Sequence, residues 1–214
     1  MMRLIRIPCL ACLLAASSAF RLSHPALAVR ASTPHATSAD EGAPQPPIWI
    51  IFGRPGAGKT TIANVVVDRL GSVETLALDL DVCVPQWMRD NFAQGIYPTL
   101  AERQAFASDA ADYVSTESDG KDACCVVSFS FVNVDLRDSF RERFPGATWA
   151  LVDASDALAG ERISQRDGHF YDPPPSRGDE WLFAPVVFDH LVLDATQPVD
   201  ENVERLLPLV RRPS

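Results

Sequence analysis

No apolar run in this chain is long enough to span a bilayer, so nothing in the sequence predicts a membrane-spanning helix. Internal repeats and heptads are also missing, which excludes solenoid and coiled-coil architectures. Cysteine is sparse: five residues, with Cys9 and Cys12 near the N-terminus and Cys83, Cys124 and Cys125 beyond it. Those last three are odd in number and form no C-x-x-C pair, which argues against a disulfide framework or a zinc site. Cys124 and Cys125 are adjacent on an expected strand, so they point to opposite faces and do not bridge each other. They read as buried thiols in a reducing compartment. Basic charge is outweighed by acid: the formal net charge is −9. An extended nucleic-acid surface needs clustered Lys and Arg, so no nucleic-acid partner is expected.

What is present begins with a leader. "MMRLIRIPCLACLLAASSAF" opens on Arg3 and Arg6, continues through a short apolar core and reaches the small residues Ser17, Ser18 and Ala19. That is signal-peptide architecture, assigned to residues 1–19. Residues 20–47 are rich in Ala, Ser, Thr and Pro and carry Arg21 and Arg30, with no acid before Asp40. This is transit-peptide composition that does not fold by itself. With Phe20 at the junction, the two parts resemble the bipartite plastid leader of algae with complex plastids. The resemblance implies import into a plastid, with no membrane contact in the mature form. Secretion to the medium or an endomembrane lumen is the competing outcome.

A folded domain is expected over residues 48–214. "IWIIFG" predicts a buried strand, and "KTTIANVVVDRLG" a helix capped by Gly71. "VETLALDLD" predicts a second strand ending in Asp79 and Asp81. A long helix should begin after Thr99, with Glu102 placed for a capping box. "ACCVVSFSF", "ATWALVDAS" and "HLVLDAT" supply three more strands, separated and followed by helical stretches. Strands apolar on both faces and alternating with helices predict a five-stranded parallel sheet in a three-layer α/β/α sandwich. Ligands in such sheets bind beyond the carboxyl ends of the strands.

At the first of those ends lies "GRPGAGKTT", residues 53–61. Gly53, Gly58, Lys59 and Thr60 satisfy G-x-x-x-x-G-K-[ST], between a strand and a helix as the motif requires. The loop, Gly53, Arg54, Pro55, Gly56, Ala57, Gly58, Lys59, Thr60 and Thr61, is the expected ATP site. Glycines let backbone N–H groups close on phosphate oxygens, and the helix N-terminus adds positive potential. Lys59 would reach the β- and γ-phosphates, and the Thr60 hydroxyl would bind Mg²⁺.

Motor and regulatory NTPases carry an acid on a strand beside this loop, but here Ser128 stands near the corresponding place and the acids are on the second strand. Asp79 and Asp81, two residues apart, should project to one side. Asp79 is the candidate metal ligand and Asp81 the candidate for accepting a proton from, or orienting, a substrate hydroxyl. The same pair would also arise if one carboxylate only terminated the strand or capped the next helix.

These pieces resemble the small P-loop kinases of metabolites, most of all gluconate kinase. The family's G-x-P-L-x-D-x-D-R segment is matched loosely by "GIYPTLAER", and its stretch after strand three by "SFSFVNVDLRDSFRERF", with Ser128, Arg137 and Arg141. Its lid pattern E-R-x-x-x-R-x-G-H-F is matched by "ERISQRDGHF", residues 161–170. The resemblance implies an ATP- and Mg²⁺-dependent phosphotransferase acting on a hydroxyl of a small, gluconate-like metabolite. Its lid, near residues 160–180, would bring Arg162 and Arg166 over the phosphates, with His169 as a lid contact. A solvated helix face paired with Glu161 and Asp167 is the other reading of the two arginines. Arg89 and Arg103 are candidates for holding an acceptor carboxylate.

"VCVPQWMRDNFAQ" departs from the family where acceptor selection should reside, with Trp87 and Met88 either shaping that pocket or belonging to the core. An adenylylsulfate kinase would account for "SFSFVNVDLRD" but not for "GHF", and shikimate kinase would require a Gly-Gly-Gly loop that is missing. A non-catalytic nucleotide switch stays open beside the kinases. Nothing in the sequence fixes the oligomeric state.

Overall fold

The computed structural model describes residues 46–71, 75–121, 123–165 and 178–210. Residues 1–45 of the expected leader, along with Arg166, Asp167, Gly168, His169, Phe170 and Pro173 to Pro175, lie outside the described residues.

The chain alternates strands and helices. Strand β1 (Ile48–Phe52) is followed by helix α1 (Lys59–Leu70), β2 (Thr75–Asp79), a 3-10 turn (Leu80–Cys83), α2 (Gln86–Ala93) and α3 (Leu100–Ser118). Then come β3 (Cys124–Phe129), α4 (Val134–Arg143), β4 (Thr148–Asp153), α5 (Asp156–Ser164), a second 3-10 turn (Asp179–Trp181), β5 (Leu191–Asp194) and α6 (Val199–Val210). The strands form one five-stranded sheet in the order β2-β3-β1-β4-β5, and every pairing is parallel.

Strand β1 shows why the sheet needs helices on both faces. Its side chains alternate, so Ile48, Ile50 and Phe52 enter one core while Trp49 and Ile51 enter the other. The first core takes Met88 and Phe92 of α2, Phe106 and Val114 of α3, and Leu136 and Phe140 of α4. The second takes Ile62 and Val66 of α1, Ala159 of α5, and Val203 and Leu206 of α6. The result is the expected three-layer α/β/α sandwich. Fully burying a side chain such as Ile50 or Phe52 contributes roughly 1.5–3 kcal/mol, so an all-apolar central strand is stable only when both faces are covered.

Local signals set the helix ends. The Thr99 hydroxyl accepts from Glu102 N–H while the Glu102 carboxylate accepts from Thr99 N–H at 2.7 Å, the capping box expected from the sequence. Ser155 caps α5 by accepting from Leu158 N–H. Gly71 ends α1 at φ 92°, a conformation other residues adopt only with strain.

One expectation is corrected. Strand β2 ends at Asp79, and Asp81 lies in the 3-10 turn that follows, so the two acids are not same-face neighbours on a strand. The side chain of Asp79 itself forces the change: it accepts from Asp81 N–H at 3.0 Å and caps the turn.

β1 is the strand at which the order of connections reverses, with β3 on one side and β4 on the other. Its carboxyl end is therefore the crevice where ligands bind in sheets of this kind.

Candidate active site

The glycine loop fills that crevice. Gly58 is left-handed at φ 100° and precedes α1 with no side-chain cap, so the first N–H groups of the helix point into the loop. Gly56 has φ 80°, and a Cβ there would lie 2.4 Å from the Ala159 carbonyl oxygen. Only glycine lets the loop pack this closely on α5. Lys59 is 8% exposed and donates from Nζ to the Arg54 carbonyl at 2.9 Å. The Arg54 side chain turns away from the loop, pairing with Asp156 at 2.8 Å and lying over the Phe183 ring.

The Thr60 hydroxyl donates to Asp79 Oδ2 at 2.9 Å, while Oδ1 of the same carboxylate holds the 3-10 turn. Asp79 thus combines the two roles left open by the sequence: one oxygen caps and the other faces the loop. The two hard oxygen donors, Thr60 and Asp79, suit Mg²⁺, which takes few protein ligands and completes its shell with phosphate and water. Asp81 is half-buried on the same cavity wall. Its turn is held by Arg89, whose Nε donates to the Val84 carbonyl at 3.0 Å and whose Nη2 donates to the Asp81 carbonyl.

Arg162, on α5, bridges the glycine loop and the segment after β5. It donates from Nη1 to the Ala57 carbonyl at 3.0 Å and from Nη2 to the Ala195 carbonyl at 2.9 Å. Arg103, on α3, makes a two-point pair with Asp135 of α4 at 2.8 and 3.1 Å and donates to the Pro98 carbonyl at 2.7 Å.

All of this surrounds one cavity of about 500 Å³, within the range of small-molecule sites. Pro55 to Thr61, Asp79, Asp81, Arg103 and Arg162 line it. Gly53, Arg54 and Arg89 stand behind that wall, as backbone or as support for the residues that form it. Met88 lines the cavity and Trp87 is exposed.

The segment after β3 differs most from the sequence reading. Ser128 is buried in β3, paired in register with Asp79 and Ile51, and does not reach the cavity. Ser130, one residue beyond the strand, does. Phe131 follows at φ 45°, the one non-glycine residue with positive φ among the described residues. Arg137 anchors this bend. It is 1% exposed, and its guanidinium donates to the carbonyls of Phe131 at 2.8 Å, Val132 at 3.2 Å and Pro185 at 2.9 Å. The guanidinium also lies 4.4 Å from the Phe183 ring centroid, and burial pushes its pKa down to about 10, so it stays charged at neutral pH. Arg141 lies over the Phe188 ring at the surface. Neither arginine lines the cavity.

Tyr97 and Asn202 also went unnoticed in the sequence. The Tyr97 hydroxyl donates to Asn133 Oδ1 at the cavity edge. Asn202 Nδ2 donates to the Asp194 carbonyl at 2.8 Å, leaving its buried Oδ1 without a donor. No motif in the sequence singles out that asparagine. Cys124 and Cys125 are buried and free as expected, and burial pushes Cys124 up to about 12; Cys83 is free but only half-buried, which differs from the expectation.

A sugar kinase from Janibacter sp. HTCC2649 superposes with a TM-score of 0.63 at 25% identity, covering 78% of this chain and 99% of that one. The fold is that of the P-loop small-metabolite kinases. A gluconokinase from Sinorhizobium meliloti 1021 gives 0.56 at 20% identity over 78% of this chain and 92% of its own. The APS kinase of Mycobacterium tuberculosis, solved with AMPPNP and APS, gives 0.59 at 14% identity over 79% and 100%. No family model and no curated protein matches the sequence.

Proposed function

We propose that this protein is a P-loop kinase that moves the γ-phosphoryl group of ATP to a hydroxyl of a small metabolite. The observation that carries the reading is convergence: the glycine loop, the Thr60–Asp79 pair, Asp81 and Arg162 all face one cavity, and that cavity continues past the loop toward α2 and α3. A nucleotide switch needs the first part; a second substrate needs the continuation. The sugar kinase, gluconokinase and APS kinase folds support the same class of reaction.

In this reading the loop N–H groups and Lys59 bind the β- and γ-phosphates. Thr60 and Asp79 would hold Mg²⁺, which when bound neutralises phosphate charge. Asp81 orients the acceptor hydroxyl and takes its proton. The acceptor oxygen bonds to the γ-phosphorus as the bond to the β–γ bridging oxygen breaks, and the electron pair leaves on ADP. Arg162, tied to the loop at the Ala57 carbonyl, places positive charge beside the phosphates.

The test is a screen of sugar acids, polyols and nucleotide metabolites with Mg·ATP, reading ADP release together with phosphorylated product. Gluconate, the acceptor implied by the sequence resemblance, is the reference compound. Tight ATP binding with no phosphorylated product from any compound would replace the kinase by the nucleotide switch.

A further inference from the structure

Strand β3 lies between β1 and β2, with Phe129 paired to Phe52 and Ser128 to Asp79. Ser130 is the next residue. It leaves the sheet between the glycine loop, which follows β1, and the turn carrying Asp81, which follows β2. It is half-buried and lines the cavity.

This placement comes with a strained neighbour. Phe131 is left-handed at φ 45°, a conformation that a bulky residue keeps only when its surroundings over-determine it. Two sets of contacts do so. The buried Phe131 ring meets Phe129, Phe140 and Trp149 with centroids 5.3, 4.7 and 5.2 Å away. The Arg137 guanidinium donates to the Phe131 carbonyl at 2.8 Å and to the Val132 carbonyl at 3.2 Å. Glycine would adopt the same φ without strain. This chain instead buries a charged side chain to hold the bend, and a buried charge is tolerated only when its donors are used. Strain of this kind clusters at ligand-binding sites, and the residue it aims here is Ser130.

Arg137 is also fastened to the nucleotide side. It donates to the Pro185 carbonyl at 2.9 Å and lies 4.4 Å from the Phe183 ring centroid. Arg54, the second residue of the glycine loop, lies over the same ring at 5.3 Å. Between these anchors, Ala184 N–H donates to the Val132 carbonyl at 2.9 Å. Segment 183–185 thus ties the bend to the glycine loop.

We infer that Arg137 is a positioning residue for the transfer step: by holding Phe131 left-handed, it sets the Ser130 hydroxyl beside the transferring phosphoryl group, where it bonds the acceptor hydroxyl. The inference rests on the kinase reading for the identity of the ligands and on the bend alone for the geometry. A serine hydroxyl both donates and accepts, so Ser130 orients the acceptor O–H toward Asp81 without taking its proton.

Ser130→Cys reports the geometry. The folded chain carrying it is reacted with methyl methanethiosulfonate, with and without Mg·AMPPNP. Modification is read at residue 130 by peptide mass, which separates it from the native thiols, and calorimetry measures Mg·AMPPNP affinity in parallel. With Arg137 in place, the nucleotide should slow modification by about ten-fold or more. Adding Arg137→Lys, which loses the planar fork, should cut this protection to about two-fold or less while nucleotide affinity stays that of the parent. Arg141→Lys, in the same helix but outside the cavity, should leave protection intact. A purely structural arginine would change stability and not protection, so unchanged protection in Arg137→Lys overturns the inference. Nucleotide binding without protection in the parent also overturns it and leaves the kinase standing; no nucleotide binding removes both. With D-gluconate as the acceptor probe, Ser130→Ala should lower kcat/KM by about three- to ten-fold, the loss of one hydrogen bond, and Ser130→Thr should restore most of it. Equal kcat/KM in Ser130→Ala and wild type overturns the inference. Where gluconate is not turned over, protection at residue 130 decides.

Discussion

Replacing Arg137 by methionine keeps the length and apolar stem of the side chain but removes a guanidinium that ties together three backbone carbonyls, those of Phe131, Val132 and Pro185. The Phe131 carbonyl belongs to a buried residue and methionine offers it no donor, whereas the Val132 carbonyl keeps its bond from Ala184 N–H at 2.9 Å and Pro185 is exposed. A hydrogen bond from a charged donor contributes roughly 1.5–3 kcal/mol, and a buried acceptor left unpaired costs about 1–3 kcal/mol. Those terms are not additive, and relief from burying a charge offsets part of them, so the net loss for Arg137→Met should be about 3–5 kcal/mol. That is a large share of a domain stability of about 5–15 kcal/mol. Arg137→Lys keeps the charge but not the planar fork and should lose less. Urea unfolding followed by circular dichroism at neutral pH measures both. The left-handed Phe131 should respond first, because its carbonyl loses its anchor while the strain of its backbone, on the order of 1–2 kcal/mol, persists. A loss below about 1 kcal/mol in Arg137→Met would refute this reasoning.

Gly56→Ala should weaken ATP binding and lower stability together, because the new methyl would meet the Ala159 carbonyl at 2.4 Å and force the loop off α5; calorimetric ATP affinity equal to wild type would contradict the packing. Hydrogen bonds from Thr99 hold the Glu102 carboxyl below the usual range, so its contribution to stability is present above the ordinary glutamate pKa and fades as pH falls through the depressed folded value. Thr99→Val should therefore make the acid limb of the stability–pH curve shallower; an unchanged limb would count against it. Residues 1–47 fused to a fluorescent reporter should carry it into the plastid of an alga with complex plastids, and reporter found in the medium would remove that assignment.

The glycine loop was legible because its chemistry is local: a strand, glycines at fixed spacing, then Lys59 and Thr60 opening a helix. The Thr99 capping box was legible for the same reason. Asp81 lines the cavity from a 3-10 turn and not from the strand, since whether the strand ends at Asp79 depends on that residue bonding the next turn rather than on alternation. Arg137 shows the limit more sharply. In the sequence it belongs to a charged amphipathic helix, and nothing nearby marks it as the buried anchor of a bend that also reaches Pro185, far along the chain. Ser128 and Ser130 differ only in which side of the strand end they fall, which pairing with β1 and β2 decides. The apolar side chains lining the cavity come from α2, α3, α4 and the segment before α4, so no short window of sequence contains them.

The central claim is transfer through the glycine loop, and single-turnover reaction with γ-labelled ATP tests it most directly. Wild-type protein and Lys59→Ala are each mixed with Mg·ATP and the acceptor panel of sugar acids, polyols and nucleotide metabolites, and the label is followed into organic ester and inorganic phosphate. Removing the Lys59 ammonium takes away a charge at the transferring group and should slow transfer by about 100-fold or more. Labelled ester is expected from wild type and essentially none from Lys59→Ala. Labelled ester formed equally fast by both proteins, or inorganic phosphate alone from wild type whatever the acceptor, would contradict it.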